Sequence, residues 1–215
     1  MPQLLVATNN EGKLAELRRL ISGCGWELVV PRDLGLRLEV EEVGASYEEN
    51  ARLKAEAGAA ASGLVTLADD SGLEIEALGG EPGVHSAVFL GPEATYAERF
   101  AEIYRRLEGT PFEERRARFV AVIAVAEPAP RGERPAVHFA RGEVRGLIAP
   151  APRGEHGFGY DPIFWVPQHS ATMAELPEHE KDIISHRGRA AALARQILKE
   201  LLHVYGPRDS SHSRR

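Results

Sequence analysis

Cysteine is nearly absent: Cys24 is the only one among 215 residues, which excludes an internal disulfide and a thiolate zinc site. A reducing, cytoplasmic setting is the expectation. Positive charge is also scarce, since 26 Lys and Arg against 32 Asp and Glu leave a formal net charge of −6. Bulk attraction to a nucleic acid backbone is therefore not the expected mode of action, although clustered basic residues can still hold a small anion. No apolar run approaches the length needed to cross a bilayer. Polar residues over 8–13 also interrupt any signal-peptide pattern. Neither nucleic acid nor membrane is expected as a partner. Internal repeats are missing as well.

What is present suffices for a sizeable core: 43% apolar and 27% charged residues, the balance of a soluble protein built as one domain or two closely joined lobes. The domain is expected over residues 1–205. The polar, aperiodic stretch 206–215 is expected to be a disordered tail.

Periodicity gives a coarse element order. Residues 3–8 read as a short buried strand, followed by a helix with Leu14, Leu17, Leu20 and Ile21 on one face that ends at Gly23. A second strand over 26–30 is closed by Pro31. Ser46 and Glu49 have capping-box spacing before an alanine-rich helix that stops at Gly63. Residues 64–68 read as a strand ending in acid, and 73–77 as a separate, half-exposed strand before the turn at Gly79 and Gly80. Thr95 and Glu98 open another helix, with Phe100, Ala101, Tyr104 and Leu107 inward. Two long strands, 119–126 and 136–148, form a hairpin around the loop 128–134. The last helix spans about 185–204 with Leu193, Ile197 and Leu201 on its buried stripe. Alternating strands and helices followed by two adjacent long strands predict an α/β protein with a mixed sheet.

Several clusters carry chemistry that packing does not require. Thr8, Asn9, Asn10, Glu11, Gly12 and Lys13 lie between a strand and a helix, where free amides and the helix N-terminus form an anion site. It is not a Walker P-loop, because it has one glycine and no Gly-Lys-Ser/Thr ending. Asn50 and Lys54 share a helix face, so Lys54 can point toward that turn. Asp69, Asp70, Ser71 and Gly72 read as an acidic turn at a strand end, where adjacent carboxylates repel and gain from a cation. Glu39, Glu41 and Glu42 form a second acidic cluster. Gly157, Phe158, Gly159, Tyr160 and Asp161 combine backbone close approach with aromatic faces for stacking. Lys181, His186 and Arg187 add donors, and Arg187 could read a purine's six-position carbonyl and N7. The remaining histidines show no metal-ligand spacing.

These segments, in this order, closely resemble the inosine/xanthosine triphosphate pyrophosphatase family from residue 3 to about 203. The resemblance implies hydrolysis of dITP, ITP and XTP to the monophosphate and pyrophosphate with Mg²⁺. It further implies an elongated mixed sheet flanked by helices, two lobes around a central substrate cleft, and a homodimer. Carried over by motif, Thr8 through Lys13 and Lys54 would hold the triphosphate, and Ser71 would contact substrate. Asp70 would be the general base and a metal ligand, with Glu41 the second metal-linked acid, although Glu39 or Glu42 could replace it. Phe158, Gly159, Tyr160 and Asp161 would frame the base, with Lys181, His186 and Arg187 completing that pocket. Two rivals remain: a pyrophosphatase for pyrimidine or modified nucleotides, and a non-catalytic nucleotide sensor.

Overall fold

A computed structural model describes residues 1–130 and 132–206. The tail expectation for 207–215 therefore lies outside the described residues. Among the described residues, a single mixed sheet has seven strands in the order β2-β1-β3-β4-β5-β6-β7. The strands are β1 (Gln3–Val6), β2 (Glu27–Val29), β3 (Val65–Ile75), β4 (Arg116–Ala126), β5 (Val137–Ile148), β6 (Phe164–Val166) and β7 (Ala171–Thr172). β1 pairs in parallel with β2 and β3, and the remaining pairings are antiparallel. The helices are α1 (Glu11–Leu20), α2 (Tyr47–Ser62), α3 (Tyr96–Arg106), α4 (Glu178–Ile184) and α5 (His186–Tyr205). The expectation of an α/β protein with a mixed sheet holds.

Local chemistry sets the helix starts. The Ser46 hydroxyl accepts the Glu49 amide at 3.2 Å, and Thr95 and Glu98 form the reciprocal capping box. Gly63 takes φ +70° to end α2. Ala51, Ala55 and Ala59 present a flat face that seats α2 on Ala68, Val122 and Ala124 of the sheet. On the opposite face, α1 and α5 cover Leu4, Val6, Leu67 and Ile123. A third cluster around Ile103, Leu107, Phe119 and Phe164 fills the other end of the sheet.

Three expectations need correction. β3 is one continuous strand rather than two strands around an acidic turn. Asp69, Asp70, Ser71 and Gly72 pair residue by residue with Ile123, Val122, Ala121 and Val120 of β4. Long-range pairing overrides the turn preference of Asp, Ser and Gly. Gly72 is consequently not a turn residue. A Cβ there would overlap the Gly83 carbonyl and lie 2.7 Å from the Ser86 hydroxyl, so the glycine admits a crossing backbone. On α5, Leu193 is 46% exposed; the buried stripe is Ala190, Ala191, Ala194, Leu198 and Leu201. On α3, Ala101 is exposed and Arg99 is buried in its place.

The alanines of α5 matter because the helix sits hard against β5. A Cβ on Gly142 would overlap the His186 carbonyl and approach the Ala190 amide at 2.5 Å, both rigid backbone. Gly142→Ala is therefore expected to cost about 3 kcal/mol by overpacking. Urea denaturation checks this, and an unchanged midpoint would show that α5 can give way.

Candidate active site

The chain leaves β1 at Val6 and enters α1 through a tight, internally bonded turn. The Thr8 hydroxyl accepts the Asn10 amide at 3.2 Å, and the Asn10 side chain accepts the Lys13 amide at 3.0 Å. Asn10 thus caps α1 and leaves the helix N-terminus facing a cavity of about 360 Å³. Thr8, Asn9, Asn10, Lys13, Lys54 and Asp70 line that cavity together. Asn9 also donates to the Leu38 carbonyl at 3.2 Å, fixing the segment that roofs it. Glu11 turns away and pairs with Arg32 at 2.8 Å. Gly12 serves packing: a Cβ there would meet the Phe158 ring at 2.8 Å.

Strand alternation separates the two acids that the sequence reading treated as a repelling pair. Asp69 faces the α1 and α5 side, where Lys13 lies at 3.4 Å and Arg187 at 3.1 Å. Burial alone would raise its carboxyl, but Lys13 and Arg187 overcome this and hold it far below the ordinary value. Asp70 faces α2 and is 4% exposed. It accepts from Asn50 at 3.2 Å and Lys54 at 3.4 Å. Asn50 is itself oriented by the Gly44 amide, 2.8 Å from its side-chain oxygen. Burial pushes the Asp70 carboxyl up, against the opposing pull of Lys54 and Lys13. Asp70 is thus the more basic carboxylate.

Of the three acids in the second cluster, Glu42 is the one brought to this cavity. Its carboxylate lies 3.3 Å from Lys54. Glu39 pairs with Arg37, and Glu41 is exposed and does not line the cavity. The sequence reading placed Glu41 first, with Glu39 or Glu42 as substitutes; of the three, it is Glu42 that lines the cavity with Asp70. Among the described residues no group of three or more His, Cys, Asp and Glu side chains could hold a metal by itself. The two carboxylates of Asp70 and Glu42 still suit a magnesium ion that arrives with its own phosphate ligands. Magnesium takes hard oxygens and commonly uses one or two carboxylates plus substrate oxygens.

Asn10, Lys13 and Ala87 also border a smaller space of about 70 Å³, so the two cavities adjoin along these residues. Ser71, Phe119, Phe158, Tyr160, Asp161 and His186 are among its walls. His186 stacks on Phe119 with centroids 4.6 Å apart. Burial, then the nearby Arg187 and Lys181 charges, lower its pKa well below the usual range, so the ring is neutral. Its Nδ1 is buried without a hydrogen-bond partner among the described residues. Tyr160 is locked by its hydroxyl on the Ser86 carbonyl at 2.8 Å. The Asp161 carboxylate accepts the Phe158 amide at 2.9 Å. Gly157 and Gly159 adopt φ +77° and +66°, which produces the sharp path that lets Asp161 fold back under Phe158.

Arg187 borders this pocket, and Lys181 stands behind it. Lys181 bonds Asp161 at 2.5 Å and Glu16 at 2.6 Å. Arg187 commits Nε to Asp69, one terminal nitrogen to Glu16 at 2.6 Å and the other to Ser71 at 2.9 Å. Both cations lie about 5 Å from the Phe158 ring centre, at 5.3 and 5.4 Å. Three of the five guanidinium N–H groups of Arg187 donate to protein acceptors in these bonds, and the residue still borders the pocket. Sequence reasoning missed the residue that joins these cations. Glu16 is 5% exposed and bridges both. No local spacing marks it, since its partners lie near the other end of the chain. Asn50 was seen only as a neighbour of Lys54 and Phe119 only as the start of a long strand, and Tyr96 drew no functional reading.

A family model described as the Ham1 family matches residues 4–197. The chain is 45% identical over 199 residues to a dITP/XTP pyrophosphatase of Desulforamulus reducens, covering 93% of this chain and 96% of that protein. It is 47% identical over 203 residues to a dITP/XTP pyrophosphatase of Thermus thermophilus, covering 94% and 91%. A solved Ham1 protein from Coxiella burnetii superposes with a TM-score of 0.81 at 40% identity, covering 93% of this chain and all of that one. The Staphylococcus aureus Ham1 protein gives 0.79 at 38% identity, covering 92% and 98%. A family match across most of the length, on a shared fold, places the chain plainly: it belongs to the Ham1 family.

Proposed function

We propose that this chain hydrolyses non-canonical purine nucleoside triphosphates (dITP, ITP and XTP) to the monophosphate and pyrophosphate. Residues 1–205 act as one nucleotide-hydrolysing domain whose two lobes flank the cleft. The observation that carries this reading is that Asn10, Lys13 and Ala87 border both cavities. An anion-binding helix start, a buried carboxylate and an aromatic pocket then serve a single elongated ligand. The names of the similar proteins point the same way.

Thr8, Asn9, Asn10 and the free amides of α1 hold the triphosphate, with Lys13 and Lys54 supplying charge. Asp70 receives the proton of a water attacking the α-phosphorus, and Asn50 holds its carboxylate in one orientation. Asp70 and Glu42 would hold Mg²⁺, which when bound neutralises charge on the phosphate oxygens. Without a cation these acids would repel a triphosphate, which supports metal dependence. Phe158 offers a stacking face, Tyr160, Gly159 and Asp161 fix its frame, and the unpartnered Nδ1 of neutral His186 meets a polar edge of the base. Ser71, Lys181 and Arg187 hold that edge of the pocket in place.

Lys54 contacts substrate in this scheme, so Lys54→Met is expected to raise KM roughly 10- to 100-fold, the worth of a charge-assisted hydrogen bond. Steady-state kinetics on ITP checks it, and an unchanged KM would move the phosphates elsewhere. The test of the function is product analysis on a nucleotide panel with Mg²⁺ and with EDTA. Monophosphate plus pyrophosphate from ITP and XTP, lost with EDTA, is the expected result. Diphosphate plus phosphate would refute it, and binding without hydrolysis would make the protein a sensor.

A homodimer working in the cytoplasm completes the proposal. The sheet face beyond α2 carries both signs of charge, with Arg118 bonded to Glu74 at 2.7 Å and to Glu143 at 3.4 Å. A two-fold contact needs such a self-complementary surface. Light scattering that gave the monomer mass at micromolar concentration would overturn it.

A further inference from the structure

We propose that Tyr96 is a specificity-determining residue, the adjustable wall that limits how large a base the aromatic pocket accepts. This rests on the nucleotide reading of the cleft and deepens it. The other large walls are fixed. Tyr160 is buried and tied to the Ser86 carbonyl, Phe119 is clamped between Phe164 and His186, and Phe158 packs on Gly12 with two cations behind it. Tyr96 lines the same space but is 38% exposed. It is the first residue of α3, directly after the Thr95 cap, so its side chain leaves the helix at the pocket rim.

The ring is nevertheless placed rather than loose. Its edge meets Tyr160 at 5.3 Å with an interplanar angle of 89°, and the Arg99 guanidinium lies 5.0 Å from its centre. Arg99 is buried and anchored on the Phe89 and Gly91 carbonyls at 2.9 and 3.2 Å. The rim turn, Arg99 and Tyr96 therefore form one supported unit. The Tyr96 hydroxyl approaches Gly159, 3.5 Å from the point a Cβ would occupy there. Ser71, His186 and Arg187 give the same space its polar walls. A base held by those polar walls shares the space with the Tyr96 ring. With only about 70 Å³ between these walls, that ring decides whether a substituted base fits.

The experiment compares wild type with Tyr96→Phe, Tyr96→Leu and Tyr96→Ala on three nucleotides that keep the six-position carbonyl. These are ITP, an 8-bromo-ITP and an N2-benzyl-GTP. Tyr96→Ala is expected to raise kcat/KM for at least one extended nucleotide, relative to ITP, by tenfold or more. The gain should appear as a lower KM for that extended nucleotide. Tyr96→Phe should keep the wild-type ranking, since ring volume and not the hydroxyl sets the limit. Should Tyr96→Ala fail to fold by circular dichroism, Tyr96→Leu, which keeps an apolar contact with Tyr160, must show the same change in ratio. Unchanged ratios in folded variants, or a collapse of kcat on ITP, would overturn the proposal. A wild-type protein that hydrolyses none of the three would instead sink the reading of the cleft itself, a distinguishable failure that takes this inference with it.

Discussion

Asp70→Asn is expected to lower kcat on ITP by roughly 10²- to 10⁴-fold, the usual worth of a positioned general base, while nucleotide binding persists. The substitution keeps the size of the side chain and leaves the pairing of residue 70 with Val122 in place. It removes only the carboxylate that Asn50 and Lys54 hold. Burial raises the Asp70 pKa, so the folded state disfavours its ionised form. A neutral isostere should accordingly leave stability unchanged or higher. Loss of turnover together with an undiminished thermal midpoint separates a chemical role from a structural one. Single-turnover kinetics and a melting curve on the same preparation decide it. A variant retaining full activity removes Asp70 as base, and one that unfolds shows that its ion pair with Lys54 is structural.

The second large effect belongs to Glu16→Gln, expected to cost about 3–5 kcal/mol, the penalty for breaking a buried ion pair from one side. Glu16 is the shared anion of Lys181 and Arg187, and its loss leaves two buried cations with fewer partners. Burial works against its charge, yet Arg187 and Lys181 outweigh that and hold its carboxyl below 4.5. The sign of the linkage follows. A depressed carboxyl contributes stability that is present above its unfolded value and is lost as pH falls through its folded value. The stability gap between wild type and Glu16→Gln should be full at pH 6–8 and should narrow below about pH 4.5. Urea titrations across that range provide the check. A gap independent of pH would mean that the side chain acts by packing and not by charge.

This network also changes how Arg187→Ala should be read. The guanidinium bonds Asp69, Glu16 and Ser71, so truncation leaves two buried acids with one cation each, Lys13 for Asp69 and Lys181 for Glu16. Any loss of preference for ITP over ATP in that variant would be mixed with loss of stability. Tyr96, at the rim and partly exposed, offers a cleaner handle on base selection.

How much of this was readable beforehand follows from the range of each interaction. The strand, the Asn10-capped turn and the first turn of α1 are local, and the residues over 8–13 announced them. The helix of Asn50 and Lys54 announced itself through Ser46, Glu49 and its alanine face. Asp69 and Asp70 were legible as functional acids but not as groups on opposite faces. That separation depends on β3 continuing through them, which β4 enforces from some fifty residues away. Glu42 could not be told from Glu41 without knowing which carboxylate Lys54 meets. Glu16 carried no signal, because a lone acid beside Leu14 and Leu17 looks like a solvated position until Lys181 and Arg187 arrive. The alanine stripe of α5 was masked by Leu193, whose apolarity the structure leaves in solvent.

Hydrolysis of ITP in ¹⁸O-labelled water tests the central assignment most directly. If the cleft presents the α-phosphorus to a water beside Asp70, the label appears in the monophosphate and the released pyrophosphate carries none. Label in the pyrophosphate would mean attack at the β-phosphorus, and would contradict the placement of the triphosphate between the Asn10-capped turn and Asp70.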